Sequence, residues 1–119
     1  MDEDVARAIA ALDEHADPMH GDQTPAVAEL AGMGLRAVEP LTGPLDSDSE
    51  LTRLHAQRAW EGVVYGRHGF KGGQGFPSAE HEAAAVADLR AVGYSYEAGP
   101  DERAAALERL RAWLASAQP

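Results

Sequence analysis

The chain has 119 residues, a length typical of one compact domain over residues 1–119. Its 10 Lys and Arg residues against 20 Asp and Glu residues give a net charge of −10, which repels phosphate backbones, so we expect no nucleic-acid partner. It has no cysteine for disulfides, no apolar stretch of membrane-spanning length and an acidic N-terminus unlike a secretory signal. We therefore expect no membrane partner and a cytoplasmic location.

Apolar residues recur at helical spacing along most of the chain, and no segment alternates for long enough to predict a strand. The predicted fold class is all-α, with about six helices. The first helix is expected to end near residues 17–18. Its apolar positions follow the spacing of one helix face and are Val5, Ala8, Ile9 and Leu12.

The second and third predicted helices follow each other closely. Thr24 supplies an N-cap oxygen, Pro25 fits the first helical position, and Gly34 is the predicted C-cap. The third helix lies within residues 35–45. It accommodates Pro40 only within its first turn, where the missing amide proton removes no hydrogen bond.

The fourth predicted helix is the longest. Ser47 and Glu50 fit a capping box at its start, and the helix extends to about Tyr65. We expect its apolar face to be buried against Val38 and Leu41 of the preceding helix. That face consists of Ala56, Ala59, Trp60 and Val63.

A glycine-rich loop, residues 66–77, separates the fourth helix from the last two. Its glycines raise the entropy cost of regular structure. Ser78 is predicted to cap the fifth helix and Gly93 to end it. Tyr94 and Tyr96 are expected to anchor the connection after the fifth helix. The sixth helix is predicted over residues 100–117.

The six predicted helices group into three antiparallel pairs, at about residues 2–33, 35–65 and 78–117. In the middle pair, Asp46 lies in the turn and Arg53 and Ala56 lie in the next helix. A small residue at a helix crossing allows close approach, and a carboxylate in the turn can accept a hydrogen bond from the arginine and fix the crossing angle. We therefore expect Asp46 to pair with Arg53.

This arrangement resembles the HEAT-like repeats of phycobilisome lyases. The resemblance covers about residues 24–65 and rests on Asp46, Arg53 and Ala56, with a glycine ending the helix before them. It implies a short HEAT-like α-solenoid. Such repeats serve mostly as curved surfaces that bind other proteins.

The histidines and acidic residues give little indication of a metal site or a catalytic site. His15 and His20 lie among acidic residues, but their spacing does not place both rings on one helix face, so we predict a solvated helix end and no metal or cofactor site. His55 has no nucleophile tied to it by a motif and is predicted to be a hydrogen-bonded structural histidine.

The glycine-rich loop breaks the pattern of the rest of the chain. It holds the chain's lysine beside an arginine and a histidine, although the net charge is −10. Its glycines match neither the G-x-x-x-x-G-K pattern nor the G-x-G-x-x-G pattern of phosphate-binding loops. Two interpretations stay open: a flexible connector, or a binding loop. Under the second, the candidate partner-binding residues are Arg67, His68, Phe70, Lys71 and Phe76.

The sequence favours a protein–protein interaction module, an adaptor or small subunit, without catalysis of its own. No nucleophile, base and oxyanion donors are grouped as an enzyme requires. One alternative is an immunity protein or antitoxin, because a small acidic protein is suited to bind a basic toxin. Another is an enzyme subunit or a chromophore-lyase-like protein, which the resemblance suggests.

Overall fold

A computed structural model describes residues 2–118, and within them the chain forms six α-helices and one short 3-10 helix. That part of the chain holds no strand, only an isolated antiparallel bridge between Lys71 and Gly75, so the predicted all-α class is confirmed. The elements are α1 (Glu3–Ala10), α2 (Pro25–Met33), the 3-10 helix (Gly34–Ala37), α3 (Val38–Leu45), α4 (Glu50–Arg67), α5 (Ala79–Val92) and α6 (Pro100–Ala117).

A helix that crosses a bilayer must be both long and apolar. Over residues 2–118, none of the helices combines the length and the apolar character needed to cross a bilayer.

Helix α1 is shorter than predicted. It ends at Ala10, and the chain continues in turns through residues 11–15. Leu12 is nevertheless buried, and its carbonyl accepts a hydrogen bond of 2.8 Å from the hydroxyl of Thr24. The same hydroxyl oxygen accepts from the amide of Val27 at 3.1 Å and so caps α2 as predicted. One side chain therefore joins the end of the first segment to the start of α2.

The remaining caps follow the sequence with one exception. Gly34 and Gly93 end α2 and α5 with positive φ angles, and Ser78 accepts from the amide of His81 at the start of α5. The predicted cap of α4 was wrong. Ser49, not Ser47, accepts from the amide of Thr52 at 3.2 Å, because the helix begins at Glu50.

The core lies where α2, α3 and α4 meet, and α1, α5 and α6 pack around them. Trp60 is 2% exposed, and its ring packs edge to face on Trp113 of α6 at a centroid distance of 4.9 Å. Val38 and Leu41 of α3 belong to the same core. The predicted face of α4 is confirmed, because all of its members are buried: Ala56, Ala59, Trp60 and Val63.

The predicted pair between Asp46 and Arg53 is wrong. Arg53 donates through Nη1 to the carbonyl of Ser47 at 2.8 Å and through Nε to the carbonyl of Tyr96 at 3.0 Å. The carboxylate of Asp46 is largely exposed and lies 4.0 Å from the Nε of Arg103. Carbonyls in turns lack helical partners, and the buried guanidinium of Arg53 satisfies two of them.

Tyr94 anchors the connection between α5 and α6, as predicted. Its hydroxyl donates to the carbonyl of Leu45 at 2.6 Å, and burial raises the pKa of Tyr94 from 10.0 to about 12. An unfolded chain therefore loses the phenolic proton at a lower pH than the folded chain does.

Stability should consequently depend on alkaline pH. The contribution of Tyr94 is fully present below pH 10 and is lost as the pH rises toward about 12, because the unfolded state releases its proton first. Urea unfolding across this range should show a falling free energy of unfolding. Tyr94→Phe should flatten that fall. Tyr96→Phe should flatten it less: the pKa of Tyr96 is also raised, chiefly by the carboxylate of Glu97 and then by burial, whereas burial is the main cause at Tyr94 and raises its pKa to about 12. Equal slopes in the two variants would contradict the assignment.

Helices α2 and α4 make the most extensive contact of the fold. They approach closely at Gly62, where a Cβ would lie only 2.5 Å from the Cβ of Ala31. A glycine is therefore required at this crossing, not for its backbone freedom but because no side-chain atom fits. Gly66, one turn later in α4, has open space around the same position.

These two glycines give a matched pair of substitutions. Gly62→Ala should destabilise the protein by about 1–3 kcal/mol, since one helix must move to admit the methyl group. Gly66→Ala should stabilise it by about 0.5–1 kcal/mol, because alanine is the better helix former and meets no neighbour. Urea midpoints measure both; a stabilising Gly62→Ala would show that the helices are not in close contact.

Candidate functional site

The glycine-rich loop is folded as a small hairpin. Lys71 and Gly75 exchange two backbone hydrogen bonds, of 3.1 and 2.9 Å. Gly73 and Gly75, at the tip, have φ angles of +81° and +77°, a region that favours glycine. The segment therefore has its own hydrogen-bonded turn, and both interpretations, a connector and a binding loop, stay predictions.

An aromatic cluster attaches the hairpin to α4. The rings of Phe70 and Phe76 lie 5.1 Å apart and pack on Tyr65 at centroid distances of 5.8 and 5.7 Å. Phe76 is half-buried, whereas Phe70 is 40% exposed. Of the two phenylalanines proposed to contact a partner, Phe70 thus offers the larger accessible ring.

Two of the predicted partner-binding residues make contacts within the chain, to α6 and α5. Arg67 donates to the carbonyl of Ala117 at 3.1 Å, and its guanidinium lies 6.0 Å from the ring centroid of Trp113. His68 contacts the carboxylate of Asp88 at 2.6 Å. Lys71 is exposed. Part of the positive charge that was predicted to contact a partner therefore contacts other groups of the same chain.

A groove runs between α2 and α4 and ends against the hairpin; we call it the α2–α4 groove. It encloses about 630 Å³, a size found for ligand-binding clefts. Six of its 12 lining residues are alanine or glycine, and the rings of Tyr65 and Phe70 also line it. Its lining residues are Gln23, Val27, Ala28, Ala31, Gly32, Arg58, Glu61, Gly62, Tyr65, Gly66, Phe70 and Gly72.

Sequence reasoning did not find this groove. Of the predicted site residues only Phe70 lines it. The available signal was the presence of Gly32, Gly62 and Gly66 inside helical segments, where glycine is costly and needs a packing or functional reason.

Charged side chains lie along one side of the groove. Arg58 binds Asp22 at 2.6 Å and Glu61 at 2.9 Å, so two carboxylates share one guanidinium. The hydrogen bond from Arg58 lowers the pKa of Asp22. Burial raises the pKa of Tyr65, and the carboxylate of Glu61 raises it further while Arg58 opposes the shift.

His55 is the buried structural histidine that the sequence predicts. It is completely buried, with Nδ1 at 2.6 Å from the carboxylate of Asp13 and Nε2 at 2.8 Å from the carbonyl of Gly21. Thr52 donates to the other oxygen of Asp13 at 2.5 Å. These contacts attach the segment before α2 to α4 and so position Asp22 and Gln23 beside the groove.

The acidic residues near His15 and His20 are engaged separately. Asp13 binds His55, while Asp17 accepts from the amides of Met19 and His20. Within residues 2–118, no three histidine or acidic side chains lie close enough together to hold a metal ion.

Comparison with known proteins does not assign the chain to a family. The resemblance to HEAT-like repeats rests on Asp46, Arg53 and Ala56, of which Ala56 is buried as expected while the other two are not paired with each other. The resemblance therefore stays a prediction. No protein-family model, no curated protein and no solved structure matches the chain.

Proposed function

We propose that the protein is a binding module for another protein, and that a positively charged segment of that partner occupies the α2–α4 groove. The observation that carries the proposal is the groove itself, an open apolar cleft with the ring of Phe70, 40% exposed, at its edge. Accessible aromatic rings beside a cleft are common anchors of protein interfaces.

The charge of the chain supports a basic partner. The net charge is −10, so a cationic protein is attracted over distances longer than a contact. The HEAT-like resemblance supports a binding role as well, because residues 24–65 contain both helices of the groove. The fixed shape of the hairpin lowers the ordering cost of binding, since its aromatic rings are already packed.

The test begins with the immobilised protein and an extract of the cells that produce it. A captured protein is then purified, and its affinity is measured by calorimetry for the parent chain and for groove variants. Phe70→Ala should weaken binding by about 1–3 kcal/mol. Gly66→Leu, which fills open space in the groove, should abolish most of the binding without unfolding α4.

The matched control is Ala105→Leu, which places the same side chain on an exposed position of α6. It should leave the affinity unchanged. The affinity of the parent chain should also fall as salt is added. If the captured protein binds the parent chain, Phe70→Ala and Gly66→Leu equally well, the groove is not the contact surface and the proposal is wrong.

A further inference from the structure

Building on the proposed function, we infer that the α2–α4 groove receives a cationic side chain of the partner, an arginine or a lysine, against the ring faces of Tyr65 and Phe70. The groups that recognise this side chain are the rings of Tyr65 and Phe70 and the carboxylates beside them.

The aromatic rings supply the first part of the recognition. Tyr65 and Phe70 both line the groove, with their centroids 5.8 Å apart and their planes inclined by 46°. Phe76 packs on both rings from within the hairpin and holds them in place. A cation is attracted to the face of such a ring when it lies within about 6 Å of the centroid. The molecule already uses this contact once, between Arg67 and Trp113.

The surrounding charges supply the second part. Two carboxylates, those of Asp22 and Glu61, bind the single guanidinium of Arg58, and both Glu61 and Arg58 line the groove. This side of the groove therefore holds two negative charges against one positive charge. A further cation is therefore favoured at this position, whereas an incoming carboxylate would meet excess negative charge.

The shape of the groove favours a side chain that is apolar along its length and charged at its end. The lining next to the rings is made of small residues, such as Ala31, Gly62 and Gly66. The methylene stem of arginine or lysine can lie along this surface while the charged head reaches the rings and carboxylates.

The probe is N-acetyl-L-argininamide, titrated into isotope-labelled protein and followed by amide chemical shifts. We expect saturable shifts confined to the groove, at Gly66, Phe70 and Gly72, with a dissociation constant of the order of 1 mM. N-acetyl-L-citrullinamide has nearly the same shape but no charge. It should bind about fivefold more weakly or not at all.

Two variants test the two parts separately. Phe70→Leu keeps an apolar side chain and removes the ring face, and Glu61→Gln removes one carboxylate. Each substitution should lower the affinity for the arginine probe by about two- to fivefold. Glu108→Gln, an exposed acid on α6 outside the groove, is the control and should change nothing. Circular dichroism of each variant verifies the fold.

The outcomes separate this inference from the proposed function. If the partner's binding is lost in Gly66→Leu but the arginine and citrulline probes bind equally or not at all, the cationic anchor is wrong and the protein-binding function stands. If the arginine probe binds the groove while the partner is indifferent to Gly66→Leu and Phe70→Ala, the proposed function fails and the cation site stands. Shifts scattered over acidic helix faces would overturn the inference.

Discussion

Trp60→Ala should remove about 3–5 kcal/mol of stability, the largest effect expected for a single substitution in this chain. The side chain is 2% exposed and joins α4 to α6 through its edge-to-face contact with Trp113. Its removal leaves a cavity between these helices that neighbouring side chains fill only in part. A small domain has about 5–15 kcal/mol in total, so this loss is a large part of the stability of the chain. Urea unfolding followed by circular dichroism measures the loss.

Trp113→Ala is the informative comparison. Trp113 is only half-buried, so its removal should cost less than that of Trp60. A double-mutant cycle between the two positions should give a coupling of about 0.5–1.5 kcal/mol from the ring contact. A Trp60→Ala variant as stable as the parent would contradict the packing described for α4 and α6.

His55→Ala is expected to have the second largest effect, about 2–4 kcal/mol. The substitution leaves the carboxylate of Asp13 with Thr52 alone and the carbonyl of Gly21 without a donor, and it opens a cavity in a completely buried site. The segment before α2 should then detach from α4. Thermal or urea unfolding of the variant measures the loss.

Two further substitutions define what His55 contributes. His55→Gln can keep one of the two hydrogen bonds and should cost less than alanine. His20→Ala is the control, because His20 lies exposed in the same segment and should change stability by no more than about 0.5 kcal/mol. If His55→Ala and His20→Ala were equally mild, the hydrogen bonds of His55 would contribute little to stability.

Local features of this fold were predictable because their causes lie close together in the sequence. The apolar face of α4 follows from helical spacing, and the caps at Thr24 and Ser78 follow from one side chain and an amide three residues later. Ser47 shows the limit of this reasoning. Two serines stand near the start of α4, and spacing alone did not distinguish Ser47 from Ser49.

Long-range partners were not predictable. Arg53 donates to the carbonyl of Tyr96, 43 residues away, and a backbone carbonyl carries no sequence signature that would identify it as the acceptor. The predicted partner, Asp46, matches the aspartate in the turn of the HEAT-like repeat and lies close to Arg53 in the sequence. The α2–α4 groove was not predictable for the same reason. It depends on the crossing at Gly62 and on a loop that folds back over α4, and both are contacts between residues far apart in the sequence.

The sparse packing of α5 has a consequence for the motions of the molecule. Only Ala85 and Val92 of its 14 residues are fully buried, against seven of the 18 residues of α4. Backbone amides of α5 should therefore exchange with solvent through local opening at a lower free energy than those of α4. An opening around Asp88 breaks its contact with His68, the residue that follows α4. Motion of α5, a helix that does not line the groove at all, thus reaches the segment that joins α4 to the hairpin.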